Sequence, residues 1–247
     1  MLPMNETNEA VVWGRRAVEE LLLGTQPVRR VLLSDTARPS LRERVQQMCK
    51  DRGVECRIVP LPRLAQIANT PEHGGVLAQI SAIPLLGIKE FLELPLSRRE
   101  VVFAFEGVEN PRNLGMAARS LVAAGIDHMI IPQTSSAQPD AVFLEASAGV
   151  GERVGVVRVP KLSEAVRELK AAGYWIFGLA GESSLSLWEH ALPRPAVFVM
   201  GGETRGLRPA VRNAMDECIS IPMKNGVDSL NVAVATSVVA FEVMRRE

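Results

Sequence analysis

The chain has 247 residues, 47% of them hydrophobic, and its 28 basic and 28 acidic side chains balance. That size suits one large packed domain or two smaller ones, and zero net charge speaks against an unspecific polyanion binder while leaving local patches open. No run of about 18 apolar residues is available to span a bilayer, and the N-terminal MLPMNETNEA has neither the basic nor the apolar region of a signal peptide. Three scattered cysteines and three scattered histidines suggest neither a disulfide framework nor a metal site. The expectation is a cytoplasmic protein without a membrane partner or a metal. Arginine makes up 23 of the 28 basic residues, and its planar fork suits phosphate.

In chain order, RRAVEELLLG reads as a helix, VRRVLLS as a strand, and SLRERVQQMCKDRG as a second helix that Ser40 can cap and Gly53 can stop. VECRIVP follows as a strand, LPRLAQIAN as a short helix and GGVLAQISA as a further strand. Residues 1–80 thus form a compact α/β unit. Residues 81–100, broken by Pro84, Gly87 and Pro95, read as a linker containing a short helix. From Val101 to Glu247 strands and helices alternate: VVFAFEG, NLGMAARSLVAAG, HMIIP, PDAVFLEASAG, VGVVRV, LSEAVRELKAAG, YWIFGLAG, AVFVMGGE, LRPAVRNAMD, CISIPM, and a final helix from about Leu230. Several of these strands are continuous apolar runs, the pattern of a mostly parallel sheet covered on both faces. In such sheets ligands bind beyond the carboxyl ends of the strands.

Three loops after strands, FGLAGESS, VMGGETRGL and IPMKNGVDSLN, carry glycine, which lets backbone approach a ligand closely. The first strand-to-helix turn, EGVENPRNLG, lacks G-x-G-x-x-G, so a nicotinamide cofactor is not expected. Neither a phosphate-binding G-x-x-x-x-G-K-[ST] nor a G-x-S-x-G nucleophile elbow is present.

Three stretches, NPRNLGMAARSLVAAG, VFVMGGETRGL and CISIPMKNGVDSLNVAVATSVVAFE, resemble the ordered motifs of the SpoU (TrmH-type) RNA ribose 2′-O-methyltransferases of the SPOUT class. WGRRAVEELLLG and EHGGVLAQI resemble, more loosely, the substrate-binding domain of members that methylate guanosine in large-subunit ribosomal RNA. The resemblance implies S-adenosylmethionine as methyl donor, a C-terminal α/β domain with a deep trefoil knot, a small N-terminal RNA-binding α/β domain, and a homodimer. A tRNA ribose methylase, or a non-catalytic RNA-binding assembly factor of the same fold, is the alternative.

The resemblance also assigns roles. Gly201, Ile221 and Leu230 match positions that contact the cofactor through backbone groups, with Gly181 and Met223 on the same loops. Ser229 and Asn231 match a polar pair near the transferred methyl, although either is also a good helix cap. Glu203 matches a cleft carboxylate that orients Arg or Asn side chains; an ordinary surface ion pair with Arg205 or Arg208 is the plainer reading. Arg119 matches the residue credited with activating the ribose hydroxyl, supported by Asn113. Helical spacing puts Arg119 among Met116, Ala118, Val122 and Ala123, on a face expected to be largely buried. Arginine is an odd proton acceptor, because it is effectively always protonated; transient neutralisation in a special site and phosphate binding both remain open. Gly151 and Gly155 stand where relatives carry bulkier residues or proline and are expected to loosen that segment. Gly202 stands where relatives often have alanine.

Overall fold

In a computed structural model of the chain, the described residues are 9–24, 28–81, 85–135, 137–148, 150–202 and 206–246. The chain divides into two compact units, residues 1–82 and 83–247.

The first unit runs β1 (Glu9–Trp13), α1 (Arg15–Leu23), β2 (Val28–Ser34), α2 (Pro39–Arg52), β3 (Glu55–Val59), α3 (Leu61–Ala68) and β4 (Val76–Ser81). Its sheet has the order β1-β4-β2-β3, with β4 antiparallel to both neighbours and β2 parallel to β3. Strand β1 was not expected from the sequence; EAVVW is short, yet Val11 and Val12 are buried against the other strands. Helix α2 does not use Ser40 as its cap. Pro39 occupies the first turn, where a missing N–H costs nothing, and Arg38 precedes it without a side-chain cap bond. Gly53 ends the helix at φ 70°, a left-handed conformation that glycine adopts without strain.

The second unit begins with β5 (Leu85–Leu86), α4 (Ile88–Glu93) and a 3₁₀ turn at Leu96–Arg98, so the stretch expected as a linker is structured and counts with this unit. There follow β6 (Val101–Glu106), α5 (Pro111–Ala123), β7 (His128–Pro132), α6 (Ala141–Ala146), β8 (Gly155–Val159), α7 (Leu162–Ala171), β9 (Trp175–Leu179), β10 (Ala196–Gly201), α8 (Pro209–Arg212), β11 (Glu217–Ile219) and α9 (Val232–Arg245). The sheet order is β11-β9-β10-β6-β7-β8-β5, and every described pairing is parallel.

Strand residues alternate between two faces. Val102, Ala104, Val197 and Val199 pack with α4 and α7 through Phe91, Leu162, Val166 and Leu169. On the opposite face Phe103, Phe198 and Phe177 stack in a row with centroid spacings of 5.3 Å, each buried aromatic worth about 1.5–3 kcal/mol. The strands are apolar on both faces because both are covered.

Gly151 and Gly155 do the opposite of loosening their segment. A Cβ at Gly155 would lie 2.5 Å from the ring of buried His128, and one at Gly151 would lie 2.6 Å from Phe143 and from the Ser147 hydroxyl. Both positions are glycine because neighbouring side chains already fill the space a larger residue needs.

The chain's last helix is fastened by a buried carboxylate. Glu242 accepts two hydrogen bonds from Arg245 and one from Arg246, and Arg246 in turn donates to the carbonyls of Leu187, Trp188 and His190. These guanidiniums, Arg245 foremost, hold the Glu242 carboxyl down to about 2. A pKa depressed on folding adds stability above the unfolded value of about 4.5, and that stability is lost as pH falls through the folded value. The stability difference between the unaltered protein and Glu242→Gln should therefore be present at neutral pH and vanish between about pH 4.5 and 2, as read by urea denaturation at a series of pH values.

Candidate active site

At the carboxyl ends of β9, β10 and β11 lies a cavity of about 520 Å³, within the range of small-molecule sites. Three loops wall it: Leu179–Glu182 after β9, Gly201, Gly202, Gly206 and Leu207 after β10, and Ile221, Met223 and residues 228–232 after β11. These loops touch through backbone. A Cβ on Gly181 would stand 2.8 Å from the Asp228 carbonyl oxygen, one on Gly201 would stand 2.9 Å from the carbonyl carbon of Gly206, and one on Gly202 would stand 2.0 Å from the Gly107 carbonyl oxygen. Alanine at 202 would force the loops after β10 and β6 apart, so glycine here sets the spacing of the site.

The five residues singled out for cofactor contact, Gly181, Gly201, Ile221, Met223 and Leu230, all line the cavity, as do Ser229 and Asn231. Glu203 lies outside the described residues. Asn113 stands beside the cavity rather than in its wall: its Oδ1 accepts a hydrogen bond of 3.2 Å from Asn231 Nδ2. Asn231 also caps α9, its Oδ1 accepting from the amides of Ala233 at 2.9 Å and Val234 at 3.4 Å. One side chain thus satisfies two orphan helix donors with its oxygen and reaches a second helix with its nitrogen.

Arg119 departs from expectation. Helix α5 starts at Pro111 behind an Asn110 cap, and Arg119 shares an exposed stripe with Arg112, Met116 and Ala123 instead of lying on a buried face. It does not line the cavity and makes no hydrogen bond or ion pair among the described residues. The buried face is that of Leu114, Ala117, Ala118 and Leu121.

Sequence reasoning missed three charged residues. Glu182 and Arg212 both line the cavity and pair at 2.5 Å; the backbone N–H of Glu182 and then Arg212 hold that carboxyl below the usual carboxylate range. Glu106 ends β6 and is wholly buried, bonded to Arg208. A lone carboxylate at a loop or strand end carries no pattern, and only its fold neighbours reveal it. Among the described residues no group of three or more His, Cys, Asp or Glu side chains is placed to hold a metal, and no helix is long and apolar enough to cross a membrane.

Residues 100–241 match the SpoU rRNA methylase family, and residues 11–85 match the RNA 2′-O ribose methyltransferase substrate-binding family. The chain is 34% identical over 246 residues to the 23S rRNA (guanosine-2′-O-)-methyltransferase RlmB of Xanthomonas axonopodis pv. citri, covering 98% of each. It is 33% identical over 241 residues to RlmB of Shewanella oneidensis, covering 96% of this chain and 97% of that one. Among solved structures, an AdoMet-bound rRNA methyltransferase from Sinorhizobium meliloti superposes with a TM-score of 0.66 at 21% identity, covering 98% of this chain and 88% of that chain. The SpoU methyltransferase AviRb from Streptomyces viridochromogenes, in complex with AdoMet, superposes with a TM-score of 0.65 at 24% identity, covering 97% and 90%. At these identities the two structures speak for a common fold.

The two roles of Asn231, capping through its oxygen and bridging through its nitrogen, can be separated by substitution. Asn231→Ala should cost about 1 kcal/mol in urea unfolding, the usual worth of an N-cap. Asn231→Asp keeps the capping oxygen and removes the donor to Asn113, and should remain within about 0.5 kcal/mol of the unaltered protein. An Asp variant as unstable as the Ala variant would show that the bridge to Asn113, not the cap, carries the stability.

Proposed function

The chain belongs to the SpoU rRNA methylase family, and from that premise we propose that it transfers a methyl group from S-adenosylmethionine to the ribose 2′-hydroxyl of a guanosine in 23S ribosomal RNA. The observation that carries this reading is the glycine-built cavity beside the Asn231–Asn113 bond, in a chain similar along nearly its whole length to the RlmB guanosine methyltransferases.

The cavity fits the donor on three counts. Its volume suits a nucleoside-sized ligand, the glycine positions bring backbone amides and carbonyls to its wall, and Glu182, Asp228 and Arg212 offer partners of both signs to an amino acid tail. Bound there, S-adenosylmethionine supplies an activated methyl on a cationic sulfonium. Gly181, Gly201, Ile221, Met223 and Leu230 would hold it through backbone and small apolar contacts. Asn231, bonded to Asn113, marks the cavity end nearest α5, with Ser229 in the wall two residues before it; we take that end as the side from which the acceptor ribose approaches. Asn113 fixes the Asn231 amide, and Glu203 is proposed as a further orienting carboxylate. Alignment of the attacking oxygen and removal of its proton are what remain for the protein to supply. Arg119, unpaired and exposed, is free to take an RNA phosphate or the ribose hydroxyl itself.

We infer further that the second unit is knotted and dimeric. The chain lays down β6 and β9 two places apart, then inserts β10 between them and carries β11 beyond β9, a path that supports a deep trefoil knot although knots are rare. Exposed Val234, Phe241 and Met244 give α9 an apolar stripe, and a second copy of the chain would cover it. Residues 1–80 are proposed to select the RNA and residues 101–247 to carry the transfer, with β5 and α4 of the stretch 81–100 packed into the transferring unit. A ribosomal RNA substrate puts this work in the cytoplasm.

Calorimetry should show S-adenosylhomocysteine binding at micromolar levels and no binding of NAD; the reverse would end the methyl-transfer reading. Arg119→Ala should leave that binding nearly unchanged and slow single-turnover methylation of a 23S fragment by at least about a hundredfold, with Arg119→Lys a poor rescue because it lacks the planar fork. Near-normal turnover in a folded Arg119→Ala protein would make this side chain structural.

A chain beginning at Ile83 should keep the calorimetric signal and lose salt-dependent RNA affinity. Equal RNA binding by the shortened and full chains would overturn the division of labour.

A further inference from the structure

Glu106 is an expensive residue in its position. It ends β6 with 0% of its surface exposed. One carboxylate oxygen accepts from Arg208 Nε, while Oε2 is buried with no hydrogen-bond partner among the described residues. Arg208 itself is 58% exposed. Removing a carboxylate from water costs several kcal/mol, and an apolar side chain of similar volume would commonly be as stable or more so. Leaving one oxygen without a donor adds to that cost. A pair of this kind is therefore a poor device for stability alone.

Its location is specific. Glu106 lies opposite Gly201 in the parallel register of β6 with β10, and Gly201 lines the cavity. The next residue, Gly107, is the one whose carbonyl oxygen presses on Gly202. Arg208 comes directly after Gly206 and Leu207, both in the cavity wall, and Gly206 is tied back to Gly202 by a 3.1 Å backbone bond. The pair thus joins strand β6, which leads into the Asn113 helix, to the far end of the loop after β10. Gly202 and Gly206 bring no side chain of their own to anchor that loop.

We propose that Glu106 is a positioning residue for methyl transfer, its buried carboxylate gripping Arg208 so that the glycine loop after β10 keeps its place against the loop after β6 and the donor cavity keeps its register with Asn113. The residue touches neither donor nor acceptor and acts through the loop. This rests on the methyl-transfer reading above. A displacement of about 1 Å between reacting groups can cost on the order of a hundredfold in rate, so a clasp that is neutral for stability can be decisive for activity.

The test uses the full chain. Glu106→Gln keeps the shape and one acceptor for Arg208 while removing the charge. It should raise the Kd for S-adenosylhomocysteine and the KM for S-adenosylmethionine at least about tenfold, leave the KM for RNA within about twofold, and shift thermal unfolding little. Val166→Ala, on the buried face of α7, is the control: it should lower the unfolding temperature and leave both donor constants unchanged. If Glu106→Gln does not fold, Arg208→Lys decides the matter, since it keeps a positive partner for the buried carboxylate while losing the guanidinium Nε that closes the clasp. Donor constants within twofold of the unaltered protein in the folded variant, or equal losses in Val166→Ala, would overturn the proposal. Failure of the unaltered protein to bind S-adenosylhomocysteine would overturn the methyl-transfer reading itself, and this inference with it.

Discussion

The site depends on backbone pressed against backbone where the loops after β6 and β10 meet. The Gly107 carbonyl occupies the space a side chain at 202 would need, and this contact fixes how closely the chain segments leaving β6 and β10 can approach one another. Gly201 against Gly206 repeats the arrangement within the loop after β10, and Gly181 against Asp228 repeats it between the loops after β9 and β11. Three chain segments packed this closely leave a cavity walled largely by peptide groups. Peptide groups lose no side-chain entropy when a ligand binds, and their donors and acceptors are aimed by the sheet beneath them. The parallel sheet supplies the rigidity and the glycines supply the closeness.

A cluster of polar residues where a strand becomes a buried helix arises from the same geometry. Helix α9 must start at the cavity wall, where its first amides have no intrahelical partners, and Asn231 answers them with one oxygen. Its amide nitrogen is left for Asn113 on α5. The two helices are fastened again further along by a 2.6 Å bond between Ser120 and Ser237. The capping and functional readings of Asn231 are therefore not rivals: the cap holds the amide group where a bond to α5 becomes possible.

The sequence made the sheet legible because its strands are apolar runs of the right length and its helices carry a 3.6-residue stripe. The cavity-lining loops were legible as glycine after strand. Strand β1 escaped because EAVVW is too short to show a period and its partner β4 is about 65 residues away. Ser40 misled because a good capping residue was present one position inside a helix already begun by proline. Arg119 misled because small and apolar residues surround α5 on several sides: Met116 and Ala123 share its exposed stripe, and the face that packs inward is that of Leu114, Ala117, Ala118 and Leu121. Gly151 and Gly155 look loose in sequence and are tight in space, because the crowding comes from Phe143, Ser147 and His128. Contacts of that kind have no one-dimensional signature, and the same holds for the Glu106–Arg208 pair, joined across 102 positions.

The distribution of charge around the cavity is consistent with a cationic ligand. Arginine dominates the basic residues of this chain, and an arginine facing the cavity unpaired would repel a sulfonium in a space of reduced dielectric. Among the described residues, the arginines near the cavity are tied up or turned away. Arg212 is paired with Glu182, Arg208 with Glu106, and Arg119 lies on the outer stripe of α5. Asp228 remains at the wall, its carbonyl oxygen packed against Gly181 and its carboxylate accepting only a 3.4 Å bond from the Ser229 hydroxyl. The cavity therefore keeps a negative bias that suits a positively charged donor, while unpaired positive charge stays outside, where an RNA backbone would meet it. The two electrostatic demands of methylating a polyanion with a cation are opposite in sign, and carboxylates placed at the ends of β6 and β9 keep them apart.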